Sequence, residues 1–257
     1  VRYKEYLKHR QLWDELRQCV GLDGEFYEGG ITDMFPSLWL NKSEEVAATL
    51  PKGRRALAIG IDTAEGGDST SWTGVDDLGV VFMITMKTPR TDIIPNQTIA
   101  LINQHQVDPK MVAFDRGGGG KQHADVCRAR GYQVKTIAFG SKSTAEPMNR
   151  LKTVAERKEE QELNFQYKNR RAQMYHELAL DMNPDTNDQV FAIPAEYTQY
   201  REQLSSIPIL YDGEGIIWLP PKNKKDPNSN IQTIVELIGH SPDEADSLVL
   251  AYHILNH

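Results

Sequence analysis

One short run constrains the fold more than any other part of the chain: Ala56-Leu57-Ala58-Ile59-Gly60-Ile61-Asp62, set between Arg54-Arg55 and Gly66-Gly67. An apolar stretch of this length with such boundaries predicts a buried strand. Its last residue is an aspartate, delivered to the strand's carboxyl end, where open α/β sheets hold their ligands. Residues 69–75 and 80–86 read as two more strands joined by Asp76-Asp77-Leu78-Gly79, which makes an antiparallel meander with the first. A helix is expected over 93–106. Residues 111–115 should form a strand parallel to the first, also ending in an aspartate, Asp115. A helix over 121–130 follows, with Gly131 past its end, then a strand over 132–139. The order β-β-β-α-β-α-β predicts an α/β fold: a mixed sheet, three antiparallel strands then parallel ones, flanked by helices.

The flanking regions are plainer. Tyr3, Tyr6, Leu7, Trp13 and Leu16 recur with a rough helical period until Gly21, Gly24 and Gly29-Gly30 break it. A short helix is expected over 43–50, capped by Ser43 with Glu44-Glu45 in its first turn. Residues 1–52 thus read as a helical connector and 53–257 as the main domain. The chain opens on Val1 within a helical pattern, so it is expected to be part of something longer. Beyond residue 139 come a polar loop (140–149), a densely charged stretch (150–162) and a helix over 169–182. A short strand (190–193), a helix (196–205) and a hairpin (209–211 with 216–219) around Asp212-Gly213-Glu214-Gly215 follow. Helices over 231–238 and 242–255 end the chain, the last with Ser241 as N-cap and Pro242 as its first residue.

Composition sets the limits. A length of 257 residues suits one large domain or a domain with an appendage. Two cysteines, Cys19 and Cys127, argue against a disulfide framework and for a reducing compartment. No targeting segment or bilayer-length apolar run is visible, so no membrane is expected. The net charge of −7 argues weakly against a nucleic-acid partner. An acidic cluster neutralised by cations softens that, as does positive charge grouped at Lys222, Lys224 and Lys225.

The candidate chemistry is acidic. Asp62 and Asp115 end two strands, and Ser241-Pro242-Asp243-Glu244-Ala245-Asp246 opens the last helix. Asp243 and Asp246 are three residues apart, so both can face one side of that helix. Two carboxylates about 4 Å apart repel by roughly 4 kcal/mol at an effective dielectric near 20, so a site gathering three needs cations. Hard oxygen ligands suit Mg²⁺. Asp68 is a further candidate from the turn before the second strand. Each residue also has a plainer reading as a turn or cap. Gly117 to Gly120 beside Asp115 would let a nucleic-acid backbone approach. The same glycines fit no phosphate loop, because Asp115 stands where the first glycine belongs and Gln122 follows Lys121. The dinucleotide fingerprint fails at Gln122 too. No histidine makes a zinc spacing with the cysteines, and His240 beside the acidic helix reads as a proton shuttle or a loop cap.

These motifs, in this order, carry a resemblance. Ile59-Gly60-Ile61-Asp62 with Gly66-Gly67-Asp68, Phe114-Asp115 with its glycines, Asn169-Arg170-Arg171-Ala172-Gln173-Met174-Tyr175 and Ser241 to Asp246 resemble the C-terminal nuclease domain of tailed-bacteriophage terminase large subunits. Those domains are RNase H-like, in the retroviral-integrase-like group. Met34-Phe35-Pro36-Ser37 and Trp39 look like the segment that follows the ATPase domain in such proteins. The resemblance implies a metal-dependent endonuclease that cuts concatemeric viral DNA during genome packaging, with two Mg²⁺ or Mn²⁺ ions held by Asp62, Asp115 and Asp246. Whether Asp243 or Asp68 completes the second metal site stays open. Lys222, Lys224, Lys225, Lys142, Arg150 and Lys121 are the candidate contacts to DNA phosphates. The implied partners are double-stranded DNA and, in a full-length protein, the ATPase domain, the portal and the small terminase subunit. The isolated domain would be a monomer, and the setting the host cytoplasm, on the procapsid. Two other classes compete: a Holliday-junction resolvase or transposase using the same carboxylates, and a non-catalytic docking module for the portal or small subunit.

Overall fold

A computed structural model describes residues 32–64, 69–90, 92–144, 166–212, 215–223 and 231–257. At its centre is β2 (Ala58–Asp62), buried along its whole length. On one side β2 pairs antiparallel with β3 (Ser69–Asp76), which turns into β4 (Gly79–Lys87). On the other it pairs parallel with β5 (Val112–Asp115), and β5 parallel with β6 (Lys135–Ile137). The order β4-β3-β2-β5-β6 is the expected mixed sheet. A second sheet of three short strands, β1 (Thr32–Asp33), β7 (Pro208–Tyr211) and β8 (Ile217–Trp218), contains the expected hairpin.

A strand covered on both faces must be apolar on both, and the period of two sorts β2 cleanly. Ile59 and Ile61 join Trp72 and Phe114 in a core under α2 (Ile93–His105) and α3 (Gly120–Ala129). Ala58 joins the larger core on the opposite face, with α4 (Arg170–Asp181) and α7 (Asp243–Asn256). Gly60 shares that face and has no room for a side chain. A Cβ there would lie 2.1 Å from the Ser247 carbonyl oxygen and 2.4 Å from the Ala251 nitrogen. Glycine thus lets the strand and helix backbones touch. Asp62, two residues on, points to the same side, toward the start of α7. Hydroxyls fasten the helix to β3: Ser247 Oγ is 3.0 Å from Ser71 Oγ and 2.6 Å from Thr73 Oγ1.

Several expectations need correction. The first helix is longer than residues 43–50: α1 spans Ser37–Thr49 with Pro36 as N-cap. Ser43 lies inside it, buried, donating to the Phe191 carbonyl at 2.7 Å and accepting from Ile193 N–H at 2.9 Å. Its hydroxyl satisfies tertiary backbone rather than a helix end. Met34, Phe35 and Leu40 from this region belong to the larger core. Residues 190–193 form no named strand; Ala192 makes a single bridge to Gly79. The strand expected over 132–139 is only Lys135–Ile137, and α6 (Ile234–Ile238) starts later than expected, with Thr233 and Glu236 forming a capping box. Ser241 does not cap α7, whose N-cap is Pro242 with no side-chain bond. The orphan amide of Ala245 is taken instead by Gln203 Oε1, at 2.8 Å, from α5 (Thr198–Leu204). Among the described residues no helix is long and apolar enough to cross a membrane. The segments 1–31 and 145–165, including the charged stretch 150–162, lie outside the description.

Candidate metal centre

Strand register alone sets two carboxylates side by side. Ile61 is level with Phe114 on the neighbouring parallel strand, so Asp62 and Asp115, each one residue on, leave the sheet together. The loop after β5 turns back sharply. Gly118 adopts φ +51°, and a Cβ on it would meet the Thr63 carbonyl oxygen at 2.3 Å; one on Gly120 would meet the Asp115 carbonyl oxygen at 1.9 Å. Gly118 and Gly120 are therefore demanded by the protein's own backbone. Thr63 Oγ1 donates to Gly118 O at 2.8 Å and closes the turn. The Gly117 and Phe139 backbones favour the ionised form of the Asp115 carboxylate against its burial.

The other two carboxylates come from the first turn of α7. Asp246 is fully buried, and three groups hold it. Arg171 donates to Oδ1 from Nη2 at 2.9 Å and from Nε at 3.2 Å. Tyr175, one turn further along α4, donates to the same oxygen at 2.7 Å. Lys222 Nζ donates to Oδ2 at 2.9 Å. That ammonium also lies 3.3 Å from Asp62 Oδ2 and 3.6 Å from Asp243 Oδ1, so one cation joins three of the four aspartates. Lys222 reaches this point because its segment is pinned to α6: Ile234 and Val235 donate to the carbonyls of Pro221 and Lys222 at 3.0 and 3.2 Å.

Electrostatics divides the four. Burial pushes the Asp62 carboxyl well above its usual range, against the pull of Lys222, and Asp246, Asp243 and Asp115 push it further. Burial likewise raises Asp115 and Asp243. Burial opposes ionisation of Asp246 as well, but Arg171, Lys222 and the Tyr175 hydroxyl overcome it and hold that carboxyl at about 2. Asp246 is thus a fixed anion, while the other three crowd beside it under strain that added positive charge would relieve.

Of the residues singled out from sequence, Asp62, Asp115, Asp243 and Asp246 come together at one sheet edge. Lys222, expected on DNA phosphates, sits among them. Lys121 and Lys142 are exposed, away from these bonds, and Asp68, Arg150, Lys224 and Lys225 lie outside the described residues. His240 turns from the centre: its Nδ1 is 2.8 Å from the Ser241 carbonyl and its Nε2 3.4 Å from Glu202, a loop contact rather than a shuttle. Sequence reading passed over Arg171 and Tyr175 as site residues. Their spacing of four within an otherwise apolar helical face was the available signal.

No family model matches the sequence, and no curated protein matches it. Solved structures do. The nuclease domain of the large terminase subunit gp2 of bacterial virus Sf6 is similar over 86% of this chain and 99% of its own, with 16% identity and a TM-score of 0.62. A mutant of that domain with manganese and beta-thujaplicinol, and a mutant with calcium, each give 17% identity and a TM-score of 0.61 over the same shares. This chain therefore shares the fold of the nuclease domain of the Sf6 large terminase subunit.

Proposed function

We propose that this chain is a metal-dependent endonuclease that cleaves double-stranded viral DNA concatemers during genome packaging, by phosphodiester hydrolysis with two divalent ions. The observation that carries the reading is the convergence of Asp62, Asp243 and Asp246 on a single ammonium, with Asp115 close enough to feel Asp246 and that ammonium. An all-carboxylate donor set fits Mg²⁺ or Mn²⁺, which favour hard oxygen ligands. When bound, such a pair of ions supplies an activated water and charge stabilisation at the leaving oxygen. Asp62, Asp115 and Asp246 are the holding groups, and Asp243 is the described candidate to complete the set. Arg171 and Tyr175 orient Asp246 by fixing one of its oxygens, which leaves Oδ2 turned to the site. Lys222 keeps positive charge at the edge where a scissile phosphate would bring negative charge. Lys121 and Lys142, exposed near their helix and loop starts, are proposed to hold flanking phosphates, so binding should weaken with salt. The fold shared with Sf6 gp2, crystallised with manganese, supports the same reading. In a full-length protein an ATPase domain, portal and small subunit would be the partners.

The test is cleavage of supercoiled plasmid, linear duplex and a four-way junction, with Mn²⁺, with Mg²⁺ and with chelator. Wild type should cut duplex only with metal. Asp62→Asn should lose about 10²-fold or more in rate, the scale of a few kcal/mol of transition-state stabilisation, with its fold retained. Undiminished cutting by a folded Asp62→Asn protein, or cleavage confined to junctions, would overturn the proposal.

A further inference from the structure

Two helical turns beyond Asp246, about 11 Å along the axis of α7, a second cluster joins α7 to α4. It shares no residue with the aspartate centre. His253 in the last turn of α7 and His257, its C-cap, stand one turn apart, the i, i+4 spacing that sets two imidazoles on one helix face. His257 N–H donates to the His253 carbonyl at 3.0 Å and keeps the last turn in register, and the rings lie 4.5 Å apart. Glu177 of α4 faces both. Its Oε1 accepts from Gln173 Nε2 at 2.8 Å, which fixes the carboxylate, and its Oε2 is 3.2 Å from His257 Nε2 and 3.7 Å from His253 Nδ1.

His253 is 3% exposed, and its Nδ1 has no hydrogen-bond partner. A buried ring nitrogen left unpaired is costly, and only a small minority of buried polar atoms are in that state. This one is aimed at a carboxylate oxygen just beyond hydrogen-bond reach, with a second imidazole alongside. His257 Nε2 and Glu177 Oε2 already lie within hydrogen-bond distance of each other at 3.2 Å, so the group that something between them would satisfy is the unpaired His253 Nδ1.

We propose that Glu177, His253 and His257 form a site for a transition-metal ion of the Zn²⁺ class, separate from the aspartate centre. Two donors each about 2.0–2.1 Å from a tetrahedral Zn²⁺ stand about 3.3 Å apart, and the two oxygen–nitrogen gaps bracket that value. All three donor atoms lie within 4.8 Å of one another, and His257 is half-exposed, which gives its ring room to turn toward His253. Two imidazoles and a carboxylate select Zn²⁺, Co²⁺ or Ni²⁺ over Mg²⁺, which the aspartates suit. His253 and His257 also line a cavity of about 450 Å³ walled by Arg128, Lys135 and Arg170, so a fourth position opens to water. Because Arg171 and Tyr175 lie on α4 and Asp246 on α7, an ion here would clamp the two helices that hold the centre's fixed anion.

The probe is Co²⁺, titrated by visible absorption into tag-free, chelator-stripped chain in excess Mg²⁺, which leaves the aspartate centre occupied by its own class of ion. Wild type should take one equivalent and show the visible bands of a low-coordinate nitrogen–oxygen site, displaced by Zn²⁺. His257→Gln, at a half-exposed position that leaves the fold intact by circular dichroism, should weaken binding at least ~100-fold, and Glu177→Gln likewise. Asp62→Asn should keep the bands, whether or not it has lost cleavage. Unchanged bands in folded His257→Gln, their loss in Asp62→Asn, or no saturable equivalent in wild type would each overturn the proposal.

Discussion

Replacing Lys222 with methionine keeps the length of the side chain and deletes the charge that three aspartates share. The ammonium lies 2.9 Å from Asp246, 3.3 Å from Asp62 and 3.6 Å from Asp243, while these side chains are 1%, 7% and 14% exposed. At an effective dielectric near 20 each pair attracts by roughly 5 kcal/mol, but desolvation takes back much of it. Removing one partner of a buried pair costs about 3–5 kcal/mol, because the other charge is left uncompensated. Lys222 is itself about one-third exposed, so the low end applies, and about 3 kcal/mol is expected in chelator. For a domain of this size that is a fall of roughly 6–12 °C in Tm. Divalent ions should then act in opposite proportion. They compete with the ammonium in wild type and meet no competitor in the variant, so Mn²⁺ should raise the variant's Tm more and bind it more tightly. Scanning calorimetry of both proteins, in chelator and across a Mn²⁺ series, measures each quantity. Equal Tm values in chelator, or equal Mn²⁺ shifts in both proteins, would refute the view that Lys222 stands in for site cations.

Two other perturbations test the same frame. Asp246 is held at about 2, below its ordinary 3.8, so its ionised form stabilises the fold. That contribution, about 2 kcal/mol, is complete above pH ~4 and is lost as pH falls from ~4 to ~2. Wild type should lose stability relative to Asp246→Asn across that window in acid-denaturation curves; parallel curves would contradict the assignment. Gly60→Ala would drive a methyl into the Ser247 carbonyl and the Ala251 amide, both backbone, at 2.1 and 2.4 Å. A cost of about 3 kcal/mol or more is expected from urea unfolding, together with lost cleavage, because β2 and α7 carry the carboxylates between them. A neutral result would mean that the strand and helix part easily.

The sheet was legible because its signals are local. Alternation in Ala58-Ile59-Gly60-Ile61-Asp62, the turn at Asp76 to Gly79 and the glycines after Asp115 each act within a few residues, and together they fix strand order and the level of two aspartates. Asp246 was legible for a different reason: a carboxylate abutting Leu248-Val249-Leu250-Ala251 is badly placed unless something compensates it. What compensates it was not legible. Lys222 lies in a Pro- and Lys-rich segment that has the composition of a solvated loop, and only its backbone bonds to α6 bring it inward. Ser43 and Ser241 misled because Ser before an apolar helical run signals a cap, whereas other partners took both hydroxyls: the distant Phe191 and Ile193 backbone for the first, the nearby Asp243 carboxylate for the second. A start at Ser43 also missed the first residues of α1, Ser37 to Lys42, which follow Pro36 as N-cap.

The asymmetry among the four aspartates has a mechanical consequence. Asp246 is anchored from one side by Arg171 and Tyr175, and those anchors lie on α4, whose fully buried Met174 and Leu178 pack in the larger core. Asp62 and Asp115 are anchored by strand register, and Asp243 by a hydroxyl of the adjacent Ser241. Among the described residues, only the contacts through Lys222 cross between the strand and helix halves of the centre at Asp62. A preorganised site needs its holding groups fixed before the ligand arrives, at the expense of crowding like charges. Here a cation on a flexible stem meets part of the crowding. A lysine can withdraw when stronger positive charge arrives, whereas the buried guanidinium of Arg171, with two N–H donors on one oxygen, stays where it is. Interchanging the two, with Arg at 222 or Lys at 171, should therefore fail in distinct ways. Arg at 222 should hinder the entry of metal, and Lys at 171 should leave Asp246 loosely oriented with its metal still admitted.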